Sequence, residues 1–229
     1  MRKVIALSIY GADPKYCIGA AKNVWLAKAW YPGWQVIVWA DQSVPSKVTD
    51  YLLGAGAEVM DASSFDTGGE FWRFLVADLP DVERYIIRDA DSRIGEREAR
   101  AVAQWIESGK SFHVMRDHPH HHDVVMGGMW GAKGGLIKDM AGLIRKFGTH
   151  ICDPKTVYAC DQQFIRHMIW DDVKNDCLQH DSCLAHLYPG SVPFPTQLSY
   201  DSPRFVGEVF DEFDEPRPYE WEKIYNHIT

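Results

Sequence analysis

The feature that most constrains the fold is the alternation of short apolar runs with longer amphipathic stretches. Residues 4–10 and 35–40 are apolar runs closed by Gly11 and Asp41, and both predict buried strands. Between them, residues 17–30 carry apolar side chains at helical spacing, and a Pro-Gly pair follows that stretch. A strand, a helix and a second strand in succession predict a β-α-β unit, which is typical of an α/β fold with a parallel sheet.

The same pattern continues along the chain. Residues 84–88 and 111–115 predict further strands and residues 58–60 a shorter one, and a glycine-rich stretch covers residues 126–135. The predicted helices cover residues 46–53, 70–77, 96–108, 136–147 and 160–170. A chain of 229 residues is long enough for one domain of this kind, so we expect a single α/β domain with a mainly parallel sheet flanked by helices.

Charge and cysteine content narrow the function classes. The formal net charge of −8 argues against a general electrostatic grip on nucleic acid, although a local basic pocket could hold an anionic ligand. No apolar run approaches the roughly 18 residues of a membrane-spanning helix, and the first ten residues do not resemble a signal peptide. The five cysteines lack the paired spacings of zinc sites. We therefore expect free thiols in a soluble, cytoplasmic protein.

The sharpest motif is Asp89-Ala90-Asp91, which directly follows the strand predicted for residues 84–88. Two carboxylates separated by one residue can bind a hard divalent cation and leave coordination positions for phosphate oxygens. The same carboxylates can equally cap a turn or pair with Arg88 and Arg93. Taken alone, the motif leaves both interpretations open.

The context of this motif resembles the GT-A fold of nucleotide-sugar glycosyltransferases. In those enzymes an Asp-x-Asp motif follows a buried strand in mid-chain, behind an N-terminal β-α-β half. Residues 113–119, 127–131, 193–195 and 205–208 are also similar to GT-A enzymes of polysaccharide and capsid glycosylation. The resemblance covers about residues 1–210. It implies one domain over residues 1–229, with a nucleotide-binding half (1–95), a half that binds sugar and acceptor (96–207) and an acidic C-terminal strap (208–229).

The resemblance implies a metal-dependent glycosyltransferase of the hexosyltransferase type. Such an enzyme moves a sugar from a nucleotide-diphosphate donor, with a UDP-sugar favoured, to a hydroxyl of a saccharide or glycan acceptor. Its cofactor would be Mn²⁺ or Mg²⁺. By resemblance, Asp91 is the direct metal ligand, Asp89 bridges the metal or holds sugar hydroxyls, and His180 is a third ligand. A surface histidine is the plainer interpretation of His180.

The nucleotide is expected at the carboxyl end of the first strand. The residues that the resemblance assigns to it are Ser8, Ile9, Tyr10, Gly11, Asp41, Arg73 and Ala90. Tyr10 would stack on the base, or it packs at the strand end. Arg73 would approach the phosphates or the sugar, or it is a solvated surface arginine.

The residues expected near the transferred sugar come from both halves of the chain. Asp161 and Gln162 resemble an Asp-Gln pair that lies near the reacting carbon in glycogenin-like families, and Asp161 would be the main catalytic carboxylate. A helix start favours an aspartate in any case. Glycines let a backbone approach a ligand closely. The full set expected at the sugar is Arg73, Asp89, His118, Gly127, Gly128 and Asp161.

Two other functions stay open at this stage. A metal-dependent phosphoester hydrolase or nucleotidyltransferase would use the same carboxylates with histidines of residues 118–122. A noncatalytic saccharide-binding module of the same fold would bind no nucleotide in a metal-dependent way.

Overall fold

The structure is a computed structural model that describes residues 1–148, 159–198 and 204–217. It contains one seven-stranded sheet, formed by β1 (Arg2–Ile9), β2 (Trp34–Ala40), β3 (Glu58–Asp61), β4 (Val82–Arg88), β5 (Phe112–Arg116), β6 (Met129–Lys133) and β7 (Cys177–Asp181). The α-helices of the described residues are α1 (Pro14–Trp30), α2 (Ser46–Gly54), α3 (Gly69–Trp72), α4 (Glu96–Ser108), α5 (Met140–Gly148), α6 (Cys160–Met168) and α7 (Trp170–Val173). Two short 3-10 helices cover Arg73–Asp78 and Lys174–Asp176.

The strand order places a crevice at the carboxyl ends of β1 and β4. The order across the sheet is β3-β2-β1-β4-β6-β5-β7. Strands β2 and β4 both pair with β1 in parallel, on opposite sides of it, and β3 continues the sheet beyond β2. The chain therefore leaves β1 in one direction and returns to its other side. In open α/β sheets, ligands bind at such a reversal, beyond the carboxyl ends of the strands.

Strand β6 runs opposite to the other strands of the sheet. It pairs antiparallel with β4, so that Met129 at its start lies opposite Arg88 at the end of β4. It also pairs antiparallel with β5, and β7 extends the sheet in parallel with β5. The sheet is therefore mainly parallel, as predicted. The reversed direction of β6 brings the glycines before it beside the aspartates that follow β4.

Both faces of the sheet are buried. Val4 and Ala6 of β1 join an apolar cluster with Phe71, Phe74 and Phe164, which lie on α3, the 3-10 helix after it and α6. The alternate side chains of β1, Ile5, Leu7 and Ile9, pack on the other face of the sheet. Their partners there come from α1, α2 and α4. Because helices cover both faces, β1 and β2 are continuous apolar runs.

Several elements differ from the prediction. The helix predicted over residues 70–77 is a single α-helical turn, α3, followed by the 3-10 helix Arg73–Asp78. Helix α5 begins at Met140 instead of residue 136, since the Asp78 carboxylate accepts hydrogen bonds from the backbone N–H groups of Met140 and Ala141 at 2.7 and 2.9 Å. Strand β7 was not predicted, because its sequence Cys-Leu-Gln-His-Asp carries little apolar signal.

The cysteines correct one expectation. Cys17, Cys177 and Cys183 are free thiols, as expected. Cys160 is disulfide-bonded, so the prediction of free thiols throughout was wrong. Within the described parts of the chain, no helix is long and apolar enough to cross a membrane.

Residues 204–217 lie against the loop that follows β4. The backbone N–H of Phe210 donates to the carbonyl of Asp91 at 2.9 Å, and Asp214 accepts from Arg93 at 2.7 Å and from Lys22 at 3.1 Å. This segment therefore borders the Asp89-Ala90-Asp91 motif. The remainder of the predicted acidic strap, residues 218–229, lies outside the described residues.

Candidate active site

A polar cavity of about 510 Å³ opens at the carboxyl ends of β1 and β4, where the strand order predicts a binding crevice. It draws its walls from widely separated parts of the chain. Twelve of the residues predicted from the sequence line it: Ser8, Ile9, Tyr10, Arg73, Asp89, Ala90, Asp91, His118, Gly127, Gly128, Asp161 and Gln162.

Gly11 and Asp41 do not line this cavity. They lie just beyond the ends of β1 and β2, and Ser43 links them: the N–H of Gly11 donates to the Ser43 hydroxyl at 2.7 Å, and that hydroxyl donates to the Asp41 carboxylate. The backbone of Gly11 has φ +69°, a conformation that favours glycine. These two residues therefore shape the loop beside the cavity.

His180 lies outside the cavity as well. It is fully buried on β7, and both of its ring nitrogens have protein partners. Nδ1 lies 2.8 Å from Nε2 of His113, and Nε2 lies 3.0 Å from Oε1 of Gln104. Burial lowers the pKa of His180 to about 4, so its ring is neutral at pH 7. The structure does not bring His180 together with Asp89 and Asp91.

Arg73 connects the loop after β4 with helix α6. Its guanidinium donates to Asp89 through Nη1 and to Oδ2 of Asp161 through Nη2, the latter at 2.8 Å. Burial lowers the pKa of Arg73, but the two carboxylates more than offset this, so the pKa lies above its ordinary value. The Arg73 side chain is only 6% exposed, which excludes a solvated surface arginine. Arg73 therefore fixes the distance between the Asp-Ala-Asp motif and α6.

The two aspartates after β4 present oxygen ligands at the cavity wall. One oxygen of Asp89 pairs with Arg73, while its Oδ2 lies where a Cβ on Gly128 would come within 2.0 Å. The Asp89 side chain is 40% exposed. Burial, followed by the charge of Asp89, raises the pKa of Asp91. Gly128 thus leaves a space beside Asp89 that the side chain of any other residue would fill.

These aspartates fit a hard divalent cation only in part. Carboxylate oxygens are the ligands that Mg²⁺ and Mn²⁺ prefer, and Mg²⁺ is commonly held by one or two carboxylates together with substrate phosphates and water. Across residues 1–148, 159–198 and 204–217, no group of three or more His, Cys, Asp or Glu side chains lies close enough to hold a metal ion. A cation here therefore needs phosphate oxygens to complete its coordination.

Asp161 lies in the first turn of α6, with its carboxylate against Gly127. A Cβ on Gly127 would come within 2.0 Å of Oδ2 of Asp161. Its Oδ1 accepts from the backbone N–H of Gln162 at 2.9 Å. Burial raises the pKa of Asp161, although Arg73 partly opposes this. A carboxylate with a raised pKa is a stronger base, so Asp161 has the chemistry of a proton acceptor.

Sequence reasoning missed three charged residues of this site, Lys15, Glu70 and Arg217. Lys15, near the start of α1, donates from Nζ to Oδ2 of Asp91 at 2.8 Å. Glu70, on α3, lines the cavity, and burial raises its pKa. Lys15, Gly19 and Asn23 are spaced four residues apart and so share one face of α1. That spacing was the available signal for Lys15; nothing in the sequence distinguishes Glu70 from a surface glutamate.

A second, more apolar cavity of about 780 Å³ adjoins the first and shares Tyr10 and Glu70 with it. Phe65, Phe71 and Ile144 are among its walls. Tyr10 stands between the two cavities, half exposed, with its ring edge against Trp72. A Cβ on Gly69 would come within 2.0 Å of the Tyr10 ring, so glycine at position 69 sets the position of that ring.

Solved structures of similar fold include those of two glycosyltransferases. The mannosyltransferase PcManGT from Pyrobaculum calidifontis, in complex with GDP-Man and Mn²⁺, has 15% sequence identity and a TM-score of 0.51, covering 79% of this chain and 55% of that one. A glycosyltransferase involved in the glycosylation of the major capsid of PBCV-1 has 10% identity and a TM-score of 0.51, covering 82% of this chain and 87% of that one.

Other comparisons set the limits of this likeness. No protein-family model matches the sequence, and no curated protein matches it. The chain spans 54% to 62% of the length of four solved structures that it matches, including the mannosyltransferase. At these identities the likeness concerns the fold. The chain has the GT-A fold found in these glycosyltransferases.

Proposed function

We propose that the chain is a metal-dependent glycosyltransferase that moves a sugar from a nucleotide-diphosphate donor to a hydroxyl of a saccharide acceptor. The observation that carries the proposal is the convergence of Arg73, Asp89, Asp91 and Asp161 on one cavity at the reversal point of the sheet. These residues come from separate elements of the fold. Arginine and aspartate side chains are rarely buried together unless they are paired, so their grouping around the buried Arg73 indicates a functional site.

The donor binds with its nucleotide beside β1 and its diphosphate at Asp91 and Asp89. Ser8, Ile9 and Tyr10 present the end of β1 to the base and ribose, and the half-exposed Tyr10 ring offers a stacking surface. Asp89 and Asp91 would hold Mn²⁺ or Mg²⁺, which would supply Lewis-acid stabilisation of the departing nucleoside diphosphate. The mannosyltransferase of similar fold carries GDP-Man and Mn²⁺, and the sequence resemblance favours a UDP-sugar.

Asp161 and Gln162 act at the sugar. Arg73 and the N–H of Gln162 each occupy one position on the Asp161 carboxylate, which holds it in a fixed orientation beside Gly127. If the reaction inverts the anomeric carbon, Asp161 accepts the proton of the acceptor hydroxyl. If it retains the configuration, Asp161 or Gln162 stabilises the positive charge that develops on the sugar ring. The two glycines allow the sugar to reach these groups.

The decisive experiment is calorimetric titration of UDP, GDP and their sugar conjugates, each with and without Mn²⁺. We expect one nucleotide family to bind in a Mn²⁺-dependent way, and Asp91→Asn to weaken that binding by about a hundredfold or more, because it removes a direct ligand charge. Asp123→Asn, outside the cavity, is the matched control.

Absence of nucleotide binding under every condition would overturn the proposal. Turnover of a phosphoester without any sugar acceptor would favour the metal-dependent hydrolase instead.

A further inference from the structure

One face of helix α1 packs directly against the loop that contains Asp89-Ala90-Asp91. A Cβ on Gly19 would come within 2.0 Å of the carbonyl oxygen of Ala90, so only glycine permits this approach. Asn23 is fully buried, donates to the carbonyl of Ser92 at 2.9 Å and accepts from the N–H of Ile94 at 3.0 Å. The distance between α1 and the loop is therefore fixed.

Lys15 extends the same face of α1 towards Asp91. The side chain of Asp13 caps the helix by accepting from the N–H of Lys15 at 2.9 Å, which fixes the backbone from which the lysine extends. Nζ of Lys15 lies 2.8 Å from Oδ2 of Asp91, with the two side chains 17% and 13% exposed. It also lies 4.2 Å above the ring of Tyr16, which lines the cavity. The ammonium therefore occupies one face of a carboxylate at the cavity wall.

We propose that Lys15 and a divalent cation compete for Asp91, and that the ammonium released by the cation binds the donor's diphosphate. The inference rests on the proposed function. A carboxylate that gives up an ammonium partner binds a metal ion less tightly than a free one, since the ion pair must first be broken. A lysine ammonium on a flexible stem can move the short distance to a phosphate oxygen, whereas the helix that carries it is held in place.

This competition has a function in donor binding. In the absence of donor, Lys15 neutralises Asp91 and keeps the affinity for free metal ions low. When metal and diphosphate arrive together, Lys15 exchanges a carboxylate partner for a phosphate partner and loses little electrostatic stabilisation. Lys15 is then a donor-binding residue, and the site favours the metal–nucleotide complex over the bare ion.

The test separates binding of the metal from binding of the nucleotide. Mn²⁺ alone is titrated into the wild type and Lys15→Met, with the paramagnetic resonance signal of free Mn²⁺ as the readout. Removing the competing ammonium is expected to tighten Mn²⁺ binding about tenfold. UDP and GDP are then titrated calorimetrically in the presence of excess Mn²⁺. Here Lys15→Met is expected to weaken the binding of the cognate nucleotide about tenfold.

Two further variants control this experiment. Lys22→Met removes a lysine from the same helix, where it pairs with the half-exposed Asp214, and it should change neither titration. Lys15→Arg keeps the charge and should hold both affinities near those of the wild type. Circular dichroism melting of each variant shows that it is folded.

The outcomes distinguish this inference from the proposed function. Opposite shifts of the two affinities in Lys15→Met support the competition, since a damaged site would weaken both. Parallel shifts, or no shift in either titration, overturn it even where the wild type binds nucleotide with Mn²⁺. A wild type that binds no nucleotide overturns the proposed function and, with it, the inference.

Discussion

Two groups of carboxylates lie at the same edge of the sheet and differ in how their oxygens are used. Asp89, Asp91 and Asp161, here called the open carboxylates, line the polar cavity. Asp117 and Asp181, here called the saturated carboxylates, lie at the ends of β5 and β7 and are almost completely buried.

The saturated carboxylates accept more hydrogen bonds from the protein, three or four each, than the open carboxylates, which accept one or two. Asp117 accepts from Arg97 at 2.6 and 2.7 Å, from the Ser182 hydroxyl at 2.5 Å and from the N–H of Val206 at 2.8 Å. Asp181 accepts from Arg116 at 2.7 Å and from the backbone N–H groups of Cys183 and Leu184 at 2.9 and 2.5 Å. A carboxylate that accepts this many hydrogen bonds has few lone pairs left for a ligand. Asp89 and Asp91 share residue type and a position after a strand with the saturated carboxylates, and the number of donors separates them.

The largest effect is expected from breaking the saturated group. Asp117→Asn leaves the Arg97 guanidinium without its counter-charge and turns an amide N–H₂ towards groups that are themselves donors. We expect a loss of about 3–5 kcal/mol in the free energy of unfolding, measured with urea. Asp123→Asn is the matched control, since the partly exposed Asp123 lies 3.6 Å from an exposed arginine and should cost less than about 1 kcal/mol. Equal losses in the two variants would show that saturation does not mark a structural carboxylate.

The sequence predicts the part of this contrast that follows from local patterns. It does not predict contacts between residues that are far apart along the chain. The alternation of apolar runs predicted the α/β architecture, and the position of Asp89 and Asp91 after a strand predicted the edge at which they lie. The partners of Asp117 come from α4, from residue 182 and from residue 206, and no local pattern indicates such contacts. The same limit explains His180, whose partners His113 and Gln104 are far from it in sequence.

A second effect follows from the pH dependence of stability. Burial lowers the pKa of His180 to about 4 and that of His121 to about 3, whereas an unfolded histidine titrates near 6.5. Between these pH values the unfolded chain therefore binds more protons than the folded protein. The free energy of unfolding is unaffected by these histidines above pH 6.5 and decreases as the pH falls below it. For His180 alone the loss is about 3 kcal/mol by pH 4.

The open carboxylates act in the opposite direction. Burial raises the pKa values of Asp91 and Asp161, so the folded protein takes up their protons first as the pH falls.

The histidine prediction is tested by urea denaturation at several pH values between 7 and 4. The free energy of unfolding should decrease clearly less for His180→Gln than for the wild type. An unchanged slope in that variant would show that His180 titrates normally.

A smaller effect is expected at the cavity wall. Gly128→Ala places a Cβ within 2.0 Å of Oδ2 of Asp89, so the carboxylate must turn away from the cavity. We expect Mn²⁺-dependent nucleotide binding to weaken about 10- to 100-fold, with less than about 1 kcal/mol lost in unfolding, because the displaced atom is the end of a side chain. Gly95→Ala is the control, since its Cβ would meet no atom within 4 Å. Unchanged binding in Gly128→Ala would remove Asp89 from the site.

The smallest effect is expected at Glu70, a carboxyl group of the cavity wall that should cost stability instead of providing it. Burial raises the pKa of Glu70, which means that its charged form is less favourable in the folded protein than in the unfolded chain. This cost is absent well below the ordinary pKa of glutamate, about 4.3, and grows as the pH rises above it. Glu70→Gln should therefore raise the melting temperature at pH 7.5 by about 1–3 °C, and the gain should vanish near pH 4. The exposed Glu83 gives the matched variant Glu83→Gln, which should show no gain at either pH. A lower melting temperature of Glu70→Gln at pH 7.5 would mean that the Glu70 carboxylate stabilises the fold and belongs with the saturated group.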